Sequence, residues 1–258
     1  MMGNKVEMKN ITKNFGGVIA LDNVDFSVKK GEIMALVGDN GAGKSTLIKL
    51  LSGIHTPTRG EIFVDGDKVR ISDPQDSQAL GIETIYQELA LVEEFTVTQN
   101  LFLGKELKKN FLGMKIFDRK QMKEEARKIF ENLNISMPEL DKRVMYLSGG
   151  QRQSIAISRA VYSEEFSDRE VNLLIMDEPT AALGVEESQK VKDLIKYLNK
   201  EKDLSIIVIS HNMEDVFDLA DRITVLSRGN LMGVRDTDEV EREEIVQMIM
   251  GMEDAKAS

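Results

Sequence analysis

Gly38-Asp39-Asn40-Gly41-Ala42-Gly43-Lys44-Ser45-Thr46 fits the pattern G-x-x-x-x-G-K-[ST]. A continuous apolar run, residues 33–37, comes before it, and apolar residues at helical spacing follow it from Leu47 to Leu51. This predicts a strand, a glycine-rich loop and a helix, in which backbone N–H groups and the positive helix end converge on phosphate. In this arrangement we expect Lys44 to bridge the β- and γ-phosphates of a nucleotide and Ser45 to offer its hydroxyl to Mg²⁺.

Apolar runs with the length of buried strands recur along the rest of the chain. Residues 173–176, 205–209 and 223–226 are such runs, and they alternate with helical patterns. Alternation of this kind predicts a parallel sheet that is covered by helices on both faces. Residues 6–28 instead carry short β-branched runs broken by glycines, which predicts a set of strands and turns.

The strand signal fades over residues 88–163, which predicts a helical subdomain inserted between two parts of a nucleotide-binding core, 1–87 and 164–250. The apolar residues that recur there every three or four positions are Met122, Ala126, Ile129, Phe130 and Leu133. Lys105–Lys128 holds nine Lys or Arg against four Asp or Glu, so it is either a solvated helix face and loop or a basic docking surface. Residues 251–258 are predicted to form a frayed tail.

The chain of 258 residues is acidic, with 34 Lys and Arg against 44 Asp and Glu and a formal net charge of −10. That charge predicts no nucleic-acid partner, because binding to the phosphate backbone depends on Lys and Arg. The sequence has no cysteine, which excludes a disulfide scaffold and a thiolate metal site. Its apolar runs are far shorter than the roughly 20 residues of a spanning helix, and residues 1–10 lack a signal-peptide core, so we expect a cytosolic location.

Two carboxylates, Asp177 and Glu178, follow the apolar run 173–176. We expect them at the carboxyl edge of a buried strand, where open α/β sheets bind ligands. Asp177 would there hold Mg²⁺ through its water shell, and Glu178 would polarise a water molecule in line with the γ-phosphate. An acidic pair at a strand end is often only a loop cap, and the phosphate loop upstream is what favours the functional interpretation.

Leu147-Ser148-Gly149-Gly150-Gln151 opens a predicted helix. Ser148 and Gln151 form the S-x-x-Q pattern of a capping box, which needs no ligand. The order of motifs along the chain adds a second interpretation, because the phosphate loop, Leu-Ser-Gly-Gly-Gln and the Asp-Glu pair follow one another. In this order the sequence resembles the ATP-binding-cassette ATPase family, of which LSGGQ is the signature, and the resemblance covers about residues 6–250.

The resemblance implies an α/β fold: a P-loop NTPase core of the RecA-like type with a mainly parallel sheet, an antiparallel β-subdomain and an inserted helical subdomain. It also implies hydrolysis of ATP with Mg²⁺ by two cassettes that pair head to tail. In such a pair, Ser148 and the amides of Gly149 and Gly150 contact the ATP on the partner's phosphate loop. The capping box would then be the role of these residues in the separated chain, and the contact with ATP their role in the dimer.

Three further side chains match the family by position. The resemblance implies that Phe15 stacks on adenine, although a core phenylalanine would also fit. It implies that Gln87, at a strand end, contacts Mg²⁺ or the attacking water. It also implies that His211, at another strand end, contacts the γ-phosphate. His55 matches no such position and is expected to be a loop residue.

One position departs from the family. Residues 181–184 read Ala-Ala-Leu-Gly, where the family commonly has Ser-Ala-Leu-Asp. The missing carboxylate puts the usual link between the two ATP sites in doubt, and a glycine at position 184 predicts a looser loop.

Residues 86–92, 96–104 and 181–187 are similar to the cassettes of monosaccharide importers of the ribose, xylose and fructose type. This implies an ATPase subunit on the cytoplasmic face of the cell membrane that powers sugar uptake through permease subunits, with a solute-binding protein engaged through the permease. Many such relatives fuse two cassettes, so a homodimer is the simplest way to complete two ATP sites. The alternatives are a soluble cassette ATPase acting on DNA or the ribosome, and a nucleotide-binding regulator without hydrolysis.

Overall fold

The computed structural model of the protein describes residues 3–136, 139–162 and 170–252. Within these ranges the strands are β1 (Asn4–Phe15), β2 (Val18–Lys29), β3 (Ile33–Val37), β4 (Arg59–Val64), β5 (Asp67–Val69), β6 (Ile82–Ile85), β7 (Lys108–Phe111), β8 (Met114–Phe117), β9 (Leu173–Asp177), β10 (Ser205–Ile209), β11 (Arg222–Ser227) and β12 (Asn230–Asp236). The helices are α1 (Lys44–Leu51), α2 (Pro74–Ala79), α3 (Val97–Leu101), α4 (Arg119–Asn132), α5 (Gly149–Val161), α6 (Val185–Lys202), α7 (Met213–Leu219) and α8 (Arg242–Ile249). Most of the predicted tail, residues 253–258, lies outside the described residues.

The central sheet has six strands in the order β12-β11-β3-β10-β9-β6. β11, β3, β10, β9 and β6 are parallel to one another, and β12 pairs with β11 at the edge in antiparallel orientation. All residues of β3 and β10 are buried, because the sheet is covered on both faces. The predicted parallel sheet is therefore confirmed, and β6 extends it.

The predicted strands and turns of residues 6–28 form part of a second, antiparallel sheet with the order β2-β1-β4-β5. One hydrophobic cluster lies between the two sheets and encloses α1. It includes Met8 and Val24 from the antiparallel sheet, Leu47 and Leu50 from α1, and Ile207 from the central sheet. Because α1 is fixed from both sides, the loop before it is held firmly at the sheet edge.

Helices α3, α4 and α5 lie within residues 88–163, where the sequence predicts a helical subdomain. The structure adds an antiparallel hairpin, β7-β8, which the fading strand signal did not predict. Its turn places Leu112 at φ 50° and Gly113 at φ 83°. Two positive φ angles are typical of a type I′ hairpin turn, and leucine is not a residue that signals one.

Helices that could carry the chain through a lipid bilayer are absent from residues 3–136, 139–162 and 170–252, since every helix there is too short or too polar.

Leu50→Ala is expected to lower the free energy of unfolding by about 2–5 kcal/mol, because Leu50 is completely buried between the sheets and a cavity would remain. Leu112→Ala removes the same atoms from a side chain that is 86% exposed and should change stability by less than about 0.5 kcal/mol. Urea unfolding measures both. Equal effects of the two substitutions would contradict this packing of α1.

Candidate functional site

The carboxyl ends of the parallel strands bring the predicted site residues to one edge of the sheet. Leu36 of β3 pairs with Ile209 of β10, Ile209 pairs with Asp177 of β9, and the next strand aligns Ile85 of β6 with Met176. Four segments at the ends of these strands carry the predicted site residues. They are the phosphate loop 38–46, the Asp177-Glu178 pair, His211 and Gln87.

The phosphate loop is held by backbone contacts that leave no space for side chains at two of its glycines. A Cβ atom on Gly38, at φ 150°, would overlap the carbonyl oxygen of Leu226. A Cβ on Gly43, at φ 105°, would lie 2.7 Å from Leu21 Cδ2 and 2.9 Å from the backbone carbonyl oxygen of Ala20. The Gly229 N–H also donates to the Ala42 carbonyl oxygen at 3.0 Å. The two glycines are therefore required by close approach and by backbone conformation together.

The centre of the loop is built to receive an anion. Gly43 is the N-cap of α1 and provides no side-chain acceptor for the first N–H groups of the helix. Lys44 Nζ donates to the carbonyl oxygens of Gly38, at 2.6 Å, and Asp39, at 3.0 Å. Ser45, in the first turn, is exposed. Of the remaining residues of the predicted loop, Asn40, Gly41 and the buried Ala42 lie in the turn before α1, and Thr46 lies in α1.

Burial lowers the pKa of Lys44, and the negative charges of Glu178, Asp177 and Asp39 partly oppose this. Burial also raises the pKa of Asp177, with a further increase from the charge of Glu178, while Lys44 and Lys49 act in the opposite direction. The edge of the sheet therefore holds an ammonium group and a carboxylate that both lack full solvation. A bound phosphate group and a cation would compensate these two charges.

Glu178 and His211 form a pair, although they come from different strand ends. Glu178 Oε1 lies 2.7 Å from His211 Nδ1. The Glu178 N–H donates to the Ile209 carbonyl oxygen at 2.9 Å, and its backbone is left-handed at φ 52°. For a residue other than glycine this conformation costs about 1 kcal/mol, so the surrounding contacts hold the carboxylate in place against strain. The His211 side chain is 76% exposed and is free to meet a ligand.

A buried aspartate, Asp215, holds the two loops of that pair together, and sequence reasoning missed it. Its Oδ2 accepts from Thr180 Oγ1 at 2.7 Å, in the loop that follows Glu178. The same oxygen accepts from Asn212 Nδ2 at 3.1 Å, directly after His211. Lys192 Nζ lies 3.3 Å from Asp215 Oδ1. A charged residue on the buried face of the predicted helix around Val216 was the available signal.

Phe15 lies at the end of β1 and is 43% exposed, so it is not a core residue. Its ring meets the edge of His55 with centroids 5.0 Å apart, and Lys13 Nζ lies 5.0 Å from its centroid. His55 is in the loop after α1, as expected, but this aromatic contact was not predicted. Gln87 is exposed, two residues beyond β6. Both side chains remain accessible to a ligand.

The signature residues Leu147 to Gln151 span the start of α5, whose first residue is Gly149 and whose N-cap is Ser148. Gln151 N donates to Ser148 Oγ at 3.3 Å, and Ser148 N donates to Gln151 Oε1 at 3.2 Å, so the predicted capping box is confirmed. Leu147 is buried, whereas Ser148 and Gly149 are exposed. A cavity of about 550 Å³ beside the signature is lined by Ser148, Gly150 and Gln151 together with residues of α6 and the segment after α4, and by no residue of the phosphate loop.

Gly184 is the N-cap of α6, at φ −69° and ψ 162°. Any residue adopts this conformation, and a Cβ atom there would meet nothing within 4 Å. The positive φ in this segment belongs instead to Ala182, at 58°. Backbone geometry therefore does not require glycine at position 184. What Gly184 lacks, compared with the Asp that is common in the family, is the carboxylate.

Asp215→Asn should lower the free energy of unfolding by about 3 kcal/mol, because an amide keeps only one acceptor oxygen and leaves Lys192 without that carboxylate. Nucleotide turnover should fall as well, since the loops of Glu178 and His211 lose their common anchor. Asp193→Asn is the control, because Asp193 is exposed on α6 and bonds Gln189. Denaturant unfolding and ATPase assays on both variants test this. An Asp215→Asn protein as stable and active as the control would contradict it.

Asp177→Asn should stabilise the free protein near neutral pH, because it removes a carboxylate that is desolvated beside Glu178. A raised folded-state pKa means that the wild type regains this stability as the pH falls through that pKa. The difference in Tm, variant minus wild type, is therefore positive near neutral pH and shrinks on acidification. Thermal melts with a metal chelator, without nucleotide, measure it. A negative difference near neutral pH would contradict the assignment.

Comparison with known proteins relates this geometry to a family. The family model described as ABC transporter matches residues 21–181. The chain is 45% identical over 249 residues to a xylose/arabinose import ATP-binding protein of Sulfolobus acidocaldarius, covering 96% of this chain and 94% of that protein. It is 40% identical over 247 residues to a fructose import ATP-binding protein of Rhizobium meliloti, covering 94% and 92%.

A ribose import ATP-binding protein of Caldanaerobacter subterraneus is also 40% identical, over 248 residues, but the chain spans only 48% of its length. Among solved structures, a dimeric post-hydrolysis state of the ATP-binding cassette MJ0796 with ADP and Pi is similar in fold, with a TM-score of 0.71, 25% identity, and coverage of 90% of this chain and 98% of that one. The ADP conformation of the cassette MJ1267 gives a TM-score of 0.78 at 26% identity, with coverage of 96% and 95%.

Proposed function

The chain belongs to the ABC transporter family, and we propose that it is the ATP-hydrolysing subunit of an importer that takes up a small sugar through membrane permease subunits. The observation that carries this proposal is the Glu178–His211 pair, 2.7 Å apart, at the sheet edge that also holds the phosphate loop. That edge combines an anion site with a positioned carboxylate, which is what hydrolysis of a nucleotide needs.

ATP would bind with its phosphates on the loop 38–46. Lys44 would exchange the carbonyl oxygens of Gly38 and Asp39 for phosphate oxygens, and the first N–H groups of α1 would gain the acceptor that Gly43 does not provide. The exposed ring of Phe15 offers a face for stacking of the adenine. The backbone of Gly43 approaches β2 at Leu21, which keeps the β1-β2 hairpin near the phosphate loop.

The residues present fit a magnesium ion that is shared with a nucleotide. Among the described residues no cluster of three or more His, Cys, Asp or Glu side chains forms a metal site, so an ion here depends on phosphate oxygens and water as well. Asp177 supplies a desolvated carboxylate, and Ser45 and Gln87 supply a hydroxyl and an amide oxygen. Magnesium would polarise the phosphoryl oxygens and offset their charge.

Glu178 would orient the attacking water and accept its proton, because its backbone N–H is bonded to the Ile209 carbonyl oxygen and its carboxylate contacts His211. His211 would contact the γ-phosphate with the ring nitrogen that does not face Glu178. One chain leaves this site open, since the signature segment lines a different cavity. A second copy would supply Ser148, Gly149 and Gly150 over the γ-phosphate, so we propose a head-to-tail homodimer.

Sugar import is proposed from the relatives, of which two match nearly along their whole length and are described as import ATP-binding proteins for xylose or arabinose and for fructose. The partners would be integral permease subunits, with a solute-binding protein engaged through them, on the cytoplasmic face of the membrane. The net charge of −10 speaks against the alternative of an ATPase that acts on nucleic acid.

Glu178→Gln should lower the ATPase rate at least about 100-fold, because the amide no longer accepts a proton, while nucleotide binding is retained. Without turnover the ATP-bound dimer should accumulate. Colorimetric phosphate release and sedimentation velocity with ATP measure the two effects. Turnover near that of the wild type would rule out this role for Glu178.

Lys44→Ala is the matched control for that experiment. It removes the cation that faces the phosphates, so titration with a fluorescent ATP analogue should show loss of nucleotide binding, and no dimer should form. ATP binding comparable to the wild type would contradict the assignment of the phosphate loop.

Purification of the tagged chain from its native membranes in mild detergent tests the transporter assignment. We expect integral permease subunits to co-purify and the ATPase activity to be stimulated in that complex. Recovery of ribosomes, DNA or only soluble proteins would contradict the assignment and leave the ATP site intact.

A further inference from the structure

Glu187, in the first turn of α6, reaches the beginning of the signature helix. Its Oε2 accepts a hydrogen bond from the Gly150 N–H at 3.4 Å. The side chain is half-buried and lines the 550 Å³ cavity beside the signature, together with Ser148 and Gln151. A carboxylate of the same chain therefore already lies on one of the signature amides.

The backbone is arranged around this contact. A Cβ atom on Gly150 would lie 3.0 Å from Glu187 Cβ, and one on Gly149 would lie 2.6 Å from Leu183 Cδ2. Both glycines have helical backbone angles, so their conformation does not explain them. The close approach of the segment 183–187 explains why both positions are glycine. This segment continues directly from the loop that follows Glu178.

The amide of Gly150 faces two competing acceptors if the proposed function holds. Ser148 and Gln151 satisfy each other in the capping box, which leaves the helix end and the Gly150 N–H for an anion. In the separated chain that anion is the Glu187 carboxylate. In the head-to-tail dimer it would be the γ-phosphate of the partner's ATP. Two anions on one N–H group repel each other.

We propose that Glu187 is a positioning residue that occupies the signature amide until the γ-phosphate displaces it, and that it thereby opposes closure of the dimer. This inference rests on the proposed function. Lys190, three residues further along α6, lines the same cavity and provides a cation to which the displaced carboxylate turns. Since the segment 183–187 follows Glu178 in the chain, the contact between Glu187 and Gly150 connects the loop after Glu178 to the signature site that serves the partner.

The test compares ATP-dependent association in the Glu178→Gln background with and without Glu187→Gln. The amide keeps the shape and an acceptor for Gly150 but removes the charge. We expect the dimer dissociation constant, measured by sedimentation equilibrium with ATP and Mg²⁺, to fall by about fivefold or more, as expected for removal of one of two close like charges. Glu187→Ala, which also removes the acceptor, should tighten association at least as much.

Glu186→Gln is the matched control, because Glu186 is exposed in the same turn of α6 and loses the same charge. It should leave the dissociation constant within about twofold. Binding of ATP to monomers should be equal in all variants, since Glu187 belongs to the surface that serves the partner. Association no tighter than in the control would overturn the role of Glu187. Failure of the Glu178→Gln protein itself to associate would overturn the proposed dimer, and this inference with it.

Discussion

The register of the parallel strands is the constraint on which the rest of the molecule depends. Leu36, Ile209 and Asp177 lie side by side across β3, β10 and β9, so three segments from distant parts of the sequence leave the sheet at one edge. Because side chains alternate along a strand, a slip of one residue would turn Asp177 away from the phosphate loop. The buried packing of α1 between two sheets then fixes the loop against that edge.

The candidate site holds two desolvated charges and an uncapped helix end. Lys44 is desolvated and bonded to carbonyl oxygens of its own loop, Asp177 is desolvated beside Glu178, and α1 begins without a side-chain cap. The desolvation of Lys44 and Asp177 and the uncapped start of α1 each cost stability, and a bound triphosphate with its cation would offset all three. Nucleotide binding is therefore favoured by groups that the fold holds in unfavourable surroundings, as is common for functional sites.

Local patterns predicted much of this molecule. The phosphate loop, the buried runs of the parallel sheet and the capping box at Ser148 are encoded within a few residues each, because glycine spacing, hydrophobic periodicity and capping act over one or two turns of chain. The hairpin β7-β8 lacks a turn signal at Leu112 and was missed. The contacts of Asp215 with Thr180 and Asn212, of Phe15 with His55, and of Glu187 with Gly150 depend on which elements meet in the fold. Single-sequence periodicity does not contain that information.

In the proposed mechanism one chain holds ATP and a second chain completes the site. The decisive measurement is the ATPase rate as a function of protein concentration, over a range in which sedimentation shows the protein to pass from monomer to dimer. We expect the specific activity to rise with concentration and then level off, because turnover in this mechanism requires two cassettes. A specific activity that stays constant down to fully monomeric protein would contradict it.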